Sequence, residues 1–240
     1  MSSIEQQRSF WNGWNAEWRS GELDEFMSRQ RDVAVEWAGK LGRNDLRILD
    51  VGCGTGWLGA SLRSLGRVTG TDLSSAAIAD GMARYPGVDL RAGDFLSLAL
   101  DGPFDIIVTA DCIAHVADQP AFIGRCADLL CPEGLLILMT QNPPIWNRKS
   151  ALKPAAEGQL RDWPPLQRIR SMLRERFRIE HVGSIVPGGD RGALFWVENR
   201  WLRGGMRRLV GRKRWDGLLE KAMLGRELVV VARKVGGSAG

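Results

Sequence analysis

Residues 48–59 read Ile-Leu-Asp-Val-Gly-Cys-Gly-Thr-Gly-Trp-Leu-Gly, and this run restricts the fold more than any other part of the chain. An apolar strand (Ile48, Leu49, Val51) enters three alternating glycines, Gly52, Gly54 and Gly56, and a predicted helix follows. Glycine at that spacing lets the backbone turn sharply and approach a ligand without Cβ contact. The helix that follows points unpaired N–H groups and a positive dipole end at the loop. Asp50 closes the strand. A second acid, Asp72, stands in Gly70-Thr71-Asp72-Leu73-Ser74 after another apolar strand, where a carboxylate can hold ribose hydroxyls. The arrangement predicts a nucleoside-cofactor site.

The same run contains Gly54-x-Gly56-x-x-Gly59, which also matches the dinucleotide fingerprint, a weak signal when alone. Asp50 argues against NAD or FAD, because its charge would repel a pyrophosphate. It suits a ligand carrying a cationic amino group. The string from Leu49 to Gly56 with Asp72 downstream closely resembles motif I and the following acidic motif of class I S-adenosylmethionine-dependent methyltransferases. The alternatives are a nicotinamide or flavin enzyme and a tight strand–helix turn with no ligand.

Strand patterns at 46–51, 67–72, 88–92, 104–109, 134–140, 177–185 and 227–234 alternate with helix patterns at 56–65, 75–84, 119–130 and 165–175. This predicts an α/β fold: a doubly wound, Rossmann-like sheet of seven strands, mostly parallel, with the last strand antiparallel. Ser74 or Ser75 is suited to cap the second helix, and Pro120 to the first turn of the third. One domain is expected: an N-terminal helical lid over 1–42, the core over 43–186, a cap insertion over 187–226 and the last strand over 227–235.

Further motifs extend the resemblance across roughly 40–186 and the final strand. Ala92-Gly93-Asp94-Phe95 follows the third strand, where the family commonly holds adenine with an acid and an apolar neighbour. Phe104 to Asp111 resembles the fourth-strand motif beside the methyl donor. Leu129-Leu130-Cys131-Pro132-Glu133-Gly134 looks like the family's Leu-x-Pro-Gly-Gly turn, with Glu133 in place of the first glycine. The resemblance implies that Asp50, Gly52, Gly54 and Gly56 surround the methionine end of S-adenosylmethionine. Asp72 would take the ribose, and Leu73, Asp94 and Phe95 the adenine. Cys53, Trp57 and Ala110 complete the cofactor-contacting candidates. Methyltransferases similar to the ubiquinone-biosynthesis O-methyltransferases carry a helical lid whose arginine can meet the methionine carboxylate, and Arg29 aligns with it.

Related small-molecule O-methyltransferases have a Glu-x-x-x-His-Val string, which here reads Asp111-Cys112-Ile113-Ala114-His115-Val116. On a helix, Asp111 and His115 would share a face at i, i+4. His115 is then a candidate base with Asp111 beside it, or else a structural histidine anchoring the loop. Catechol-type relatives bind Mg²⁺ through an Asp after the fourth strand and an Asp-Asn pair after the fifth. This chain offers Asp111 and Gln141-Asn142, one carboxylate short of that set, so no metal is expected. Trp11, Trp14 and Trp18 are three and four apart and suit one helix face, docking the helix or lining a substrate site. Trp146 and Trp196 are further substrate candidates.

Composition brings in the partners. Segment 190–226 holds ten Lys or Arg against four acids, in a chain of net charge +5. With Phe195, Trp196, Trp201 and Trp215 it reads as a solvated cationic face, a substrate cap, or a surface for anionic lipid. No RNA-binding module accompanies it, so nucleic acid is not expected. No run of about eighteen apolar residues exists, and residues 1–8 lack the apolar core of a signal peptide. Four cysteines without CxxC spacing read as reduced. The expectation is a cytoplasmic enzyme, with peripheral membrane contact through 190–226 as one reading. It would transfer a methyl group to a small or lipid-linked acceptor, at a hydroxyl oxygen. N-methylation of a small amine and a non-catalytic cofactor-binding module are the alternatives.

Overall fold

A computed structural model of the chain describes residues 3–18, 24–148, 152–188, 195 and 200–236. Seven strands form one sheet: β1 (Leu46–Val51), β2 (Gly66–Asp72), β3 (Asp89–Ala92), β4 (Phe104–Ala110), β5 (Leu130–Gln141), β6 (Phe177–Pro187) and β7 (Gly225–Lys234). Their spatial order is β3-β2-β1-β4-β5-β7-β6. The pairs among β1 to β5 are parallel, and β7 runs antiparallel between β5 and β6. This is the predicted doubly wound sheet with its antiparallel last strand.

Period-two alternation sorts the strand residues between two cores. Ile48, Ile106, Val108, Ile137 and Met139 pack with helices α2 (Glu25–Gly39), α3 (Trp57–Leu62) and α4 (Ser75–Arg84). Leu49, Ile107, Leu136 and Leu138 point the other way, onto α5 (Gln119–Leu129) and, beyond the short helix α6 (Pro143–Trp146), α7 (Leu166–Leu173). Burial on both faces is why these strands read as nearly continuous apolar runs. Helix α1 (Ile4–Trp18) packs near α4, where Asn12 Oδ1 accepts from the Ser74 hydroxyl at 2.8 Å. Helices α8 (Arg200–Val210) and α9 (Arg212–Lys221) lie between β6 and β7 in the chain.

Side-chain caps start α4, at Ser74 as expected, and α5, at Asp118, ahead of Pro120 in the first turn. Ser74 Oγ accepts from Ala77 N at 3.1 Å and Asp118 Oδ1 from Ala121 N at 2.9 Å. Two boundaries differ from expectation by more than two residues. Helix α3 stops at Leu62 and tightens into a 3₁₀ turn over Arg63–Leu65. Strand β5 begins four residues early: Leu130 pairs with Phe104, pairing resumes at Leu135 opposite Ile106, and Pro132-Glu133-Gly134 bulges out between them. Glu133 adopts φ +60 there, the left-handed conformation that a glycine would adopt without strain.

Candidate active site

The parallel strands end together, and the loops leaving β1, β2, β3 and β4 surround a cavity of about 570 Å³. Ligands bind at such carboxyl ends in open α/β sheets. The glycine loop is shaped by backbone geometry: Gly52, Gly54 and Gly56 have φ of +74, +56 and +81. A Cβ on Gly52 would lie 2.5 Å from Cys112 Cβ, so only glycine fits where the loop crosses the end of β4. Asp72 stitches the loop to β2. Its Oδ2 accepts from Gly54 N and its Oδ1 from Ser74 N, both at 2.8 Å.

Gly52, Gly54, Asp72, Leu73, Asp94, Phe95 and Ala110 line the cavity, joined by Val51, Thr71, Gly93 and Leu96, which sequence reasoning had not singled out. Asp94 Oδ1 accepts from Leu96 N at 3.1 Å, which holds its carboxylate at the loop. Phe95 is buried against Phe122, with ring centroids 5.0 Å apart. The Thr71 hydroxyl, buried in this wall, has no hydrogen-bond partner among the described residues. A buried donor without a partner costs free energy, so a polar ligand group is suited to that position. A nucleoside cofactor fits this set: carboxylates for hydroxyl and amino groups, an apolar face for a base, and a glycine backbone open to close approach.

Other predicted residues lie off the cavity wall. Asp50 is 1 % exposed and turns away, its Oδ2 accepting from Gly59 N at 2.9 Å. Cys53 and Trp57 are buried in the core on the α2–α4 side. Gly56 caps α3 against Leu90. Arg29 pairs with Glu220 of α9 at 2.8 Å, away from the place predicted for a carboxylate anchor. Its neighbour Gln30 instead contacts Asp111 from behind the cavity wall. Gln30 is 3 % exposed, and its Nε2 donates to Asp111 Oδ2 at 2.9 Å and to Glu227 Oε1 at 2.7 Å. A glutamine in a polar helix carried no signal of this in the sequence.

Asp111 and His115 both line the cavity, but no helix joins them. Asp111 has φ +57, and only Ile113–His115 forms a 3₁₀ turn. A left-handed non-glycine residue at a cavity wall is strained backbone of the kind that clusters at functional sites. Glu227 is fully buried; burial first, and the nearby Asp111 charge second, push its pKa well above the ordinary glutamate value. Burial also raises the Cys112 thiol, which stays protonated. Among the described residues no cluster of acids, cysteines and histidines is arranged to hold a metal ion.

His115 Nδ1 lies 2.6 Å from the Leu160 carbonyl oxygen. Burial first, and the Arg161 charge in addition, lower its pKa below the ordinary imidazole value. The ring is therefore neutral at pH 7, and because the carbonyl can only accept, the proton is on Nδ1. That leaves the lone pair on Nε2, in a ring that lines the cavity. The far wall is aromatic: Trp11 meets His115 edge-on at 4.6 Å, Trp14 lies 5.8 Å from Trp11, and Trp146 lies 5.7 Å from Trp163. All five line the cavity. Trp196 and the side chain of Trp18 fall outside the described residues. His181 lies on β6 beside Trp37, away from the cavity.

A methyltransferase-domain family model matches residues 48–134. The chain is 36% identical over 127 residues to a ubiquinone biosynthesis O-methyltransferase of Caulobacter sp. strain K31, covering 50% of each chain. A relative of the same name from Rhizobium leguminosarum bv. trifolii is 36% identical over 167 residues, covering 65% of this chain and 66% of its own length. The matched region thus spans half to two thirds of these curated relatives. Among solved structures, the N-methyltransferase NodS from Bradyrhizobium japonicum, in complex with S-adenosyl-L-homocysteine, superposes with a TM-score of 0.64 at 14% identity, covering 96% and 98% of the two chains. The glycine loop, the Asp72 and Asp94 carboxylates and the strand order, taken with these matches, define the class: the chain belongs to the class I S-adenosylmethionine-dependent methyltransferases. Its cofactor is S-adenosylmethionine.

Proposed function

We propose that the chain transfers a methyl group to a hydroxyl oxygen of a small or lipid-linked acceptor, with His115 as the general base. The observation that carries this reading is the Nδ1–Leu160 bond, which leaves Nε2 unprotonated in the acceptor half of the cavity. When bound, S-adenosylmethionine supplies the electrophilic methyl of a sulfonium. Asp72 holds the ribose end and Asp94 with Phe95 and Leu73 the adenine. His115 takes the hydroxyl proton, and the tryptophan wall positions the acceptor and excludes water. The names of the curated relatives support an O-methyl acceptor of the ubiquinone-precursor kind.

Residues 1–42 serve as a lid and 187–226 as a cap in this proposal. The cap also touches anionic lipid: Leu209 is 82% and Leu218 55% exposed on basic helices α8 and α9. Apolar side chains set among arginines suit a membrane interface. Among the described residues, no helix is long and apolar enough to cross a membrane.

The test is calorimetric binding of S-adenosylmethionine and S-adenosylhomocysteine, followed by radiolabelled methyl transfer to an acceptor series. Micromolar binding of both, none of NAD⁺, and base-stable label on phenolic oxygen are expected. A folded sample that binds neither nucleoside overturns the reading. Liposome flotation tests the lipid contact; absence from anionic vesicles ends that part.

A further inference from the structure

The acceptor half of the cavity contains a charge that methyl transfer to a neutral hydroxyl does not require. Residues 159–163 form neither helix nor strand and are bonded to the loop after β4. Asp162 N donates to Ala114 O at 2.8 Å, and Gln119 Nε2 donates to Asp162 O at 2.8 Å and to Ile113 O at 3.1 Å. The Leu160 carbonyl takes the His115 proton. Arg161 and Trp163 both line the cavity.

Arg161 is the only lysine or arginine lining that cavity among the described residues. Its Nη2 donates to the Lys153 carbonyl at 2.8 Å, and its guanidinium carbon lies 5.1 Å from the Trp163 ring centroid. No carboxylate of the described residues pairs with it. The adjacent Asp162 carboxylate is committed to Arg168 at 2.8 Å. The cavity acids are held elsewhere: Asp72 and Asp94 accept from loop amides, and Asp111 from Gln30. A guanidinium stacked beside an indole, with donors left over and no acid partner, is a preorganised seat for a planar anion.

We infer that the methyl acceptor is an aromatic hydroxy acid, its carboxylate held by Arg161, its ring among Trp163, Trp146 and Trp11, and its hydroxyl at His115. This rests on the proposed methyl transfer and deepens it. Arg161 is then the specificity-determining residue. Burial chiefly disfavours the imidazolium form of His115 and the Arg161 charge adds to it, so the side chain that selects an anionic acceptor also assists in keeping the base neutral.

The experiment compares 3,4-dihydroxybenzoate with catechol, binding each to the protein saturated with S-adenosylhomocysteine and following tryptophan fluorescence and heat. The carboxylate compound is expected to bind about tenfold or more tightly. Arg161→Gln abolishes that preference and Arg161→Lys, which keeps the charge without the planar fork, retains part of it. Unchanged S-adenosylhomocysteine affinity in each variant reports an intact fold. Equal affinity for the two compounds, failure of both to bind, or a preference that survives in Arg161→Gln overturns the inference. Methyl transfer is read separately. Catechol methylated with no carboxylate preference leaves O-methylation standing without the anion seat. Arg161-dependent binding of 3,4-dihydroxybenzoate with no methylation of either compound leaves the anion seat standing and sinks the transfer reading.

Discussion

His115 Nδ1 donates to the Leu160 carbonyl at 2.6 Å. The bond ties the loop after β4 to the wall at 159–163, and the same wall delivers Arg161 and Trp163. One contact therefore sets the tautomer of the candidate base and the position of the residues that would receive the acceptor.

Substituting His115 by alanine is expected to lower kcat by about 10²- to 10⁴-fold, the ordinary contribution of a general base, with S-adenosylhomocysteine affinity retained. The base works neutral, and burial lowers its pKa below 6.5. Activity should be present above that lowered pKa and fall as pH drops through it. A kcat/KM profile with its acid limb below pH 6.5, absent in His115→Ala, checks this. A profile unchanged by the substitution assigns His115 to anchoring the loop.

Asp72 combines two tasks, since its oxygens accept from Gly54 N and Ser74 N while its side chain lines the cavity. Asp72→Ala should weaken S-adenosylmethionine binding by about tenfold to a hundredfold, the worth of charge-assisted hydrogen bonds. Thermal stability of the unliganded protein should fall as well, because the glycine loop loses its tether. Calorimetry and a melting curve on one sample separate the two effects.

Gln30 links the N-terminal helices to the sheet through Asp111 and Glu227. Gln30→Ala withdraws the shared donor from two acceptors and should cost about 1–3 kcal/mol. Glu227 holds its proton more tightly in the folded chain than in the unfolded one. Stability must then fall as pH rises from about 4.5, the ordinary glutamate value, through the raised value. Glu227→Gln should flatten that slope in denaturant titrations run from pH 5 to 8. An identical slope in both proteins would refute the assignment.

Glu133 sits at φ +60 in the bulge of β5, and among the described residues its side chain makes one long, exposed ion pair, with Arg178 at 3.8 Å. Glu133→Gly relieves a left-handed conformation that costs a side-chain-bearing residue about 1–2 kcal/mol, less the entropy glycine adds to the unfolded chain. A net gain of about 0.5–1 kcal/mol is expected in chemical denaturation. The family glycine at this turn is thereby explained by backbone geometry.

Much of the cofactor half was readable from residues alone, because its determinants are local. Gly52, Gly54, Asp72, Leu73, Asp94 and Phe95 each stand within a few residues of a strand end, and strands with apolar runs of the right length bring those ends together. Period-two alternation likewise determined which strand residues face which core, and the order of strands and helices determined a doubly wound sheet. The acceptor half was readable only in part: His115, Asp111, Trp11, Trp14 and Trp146 were expected there and line the cavity, but their partners were not legible. The alignment that favoured Arg29 ignored helix rotation: one residue, about 100° of arc, sends Arg29 to Glu220 and Gln30 to Asp111 and Glu227. The i, i+4 pairing of Asp111 with His115 needed a helix that the positive φ at Asp111 forbids. Arg161 and Trp163 carried no motif, and became neighbours of His115 only through hydrogen bonds that cross more than forty residues of chain. Local backbone preference and apolar periodicity are written in the sequence itself. Which side chains meet across a cavity depends on long-range packing, and only the tertiary structure decides it.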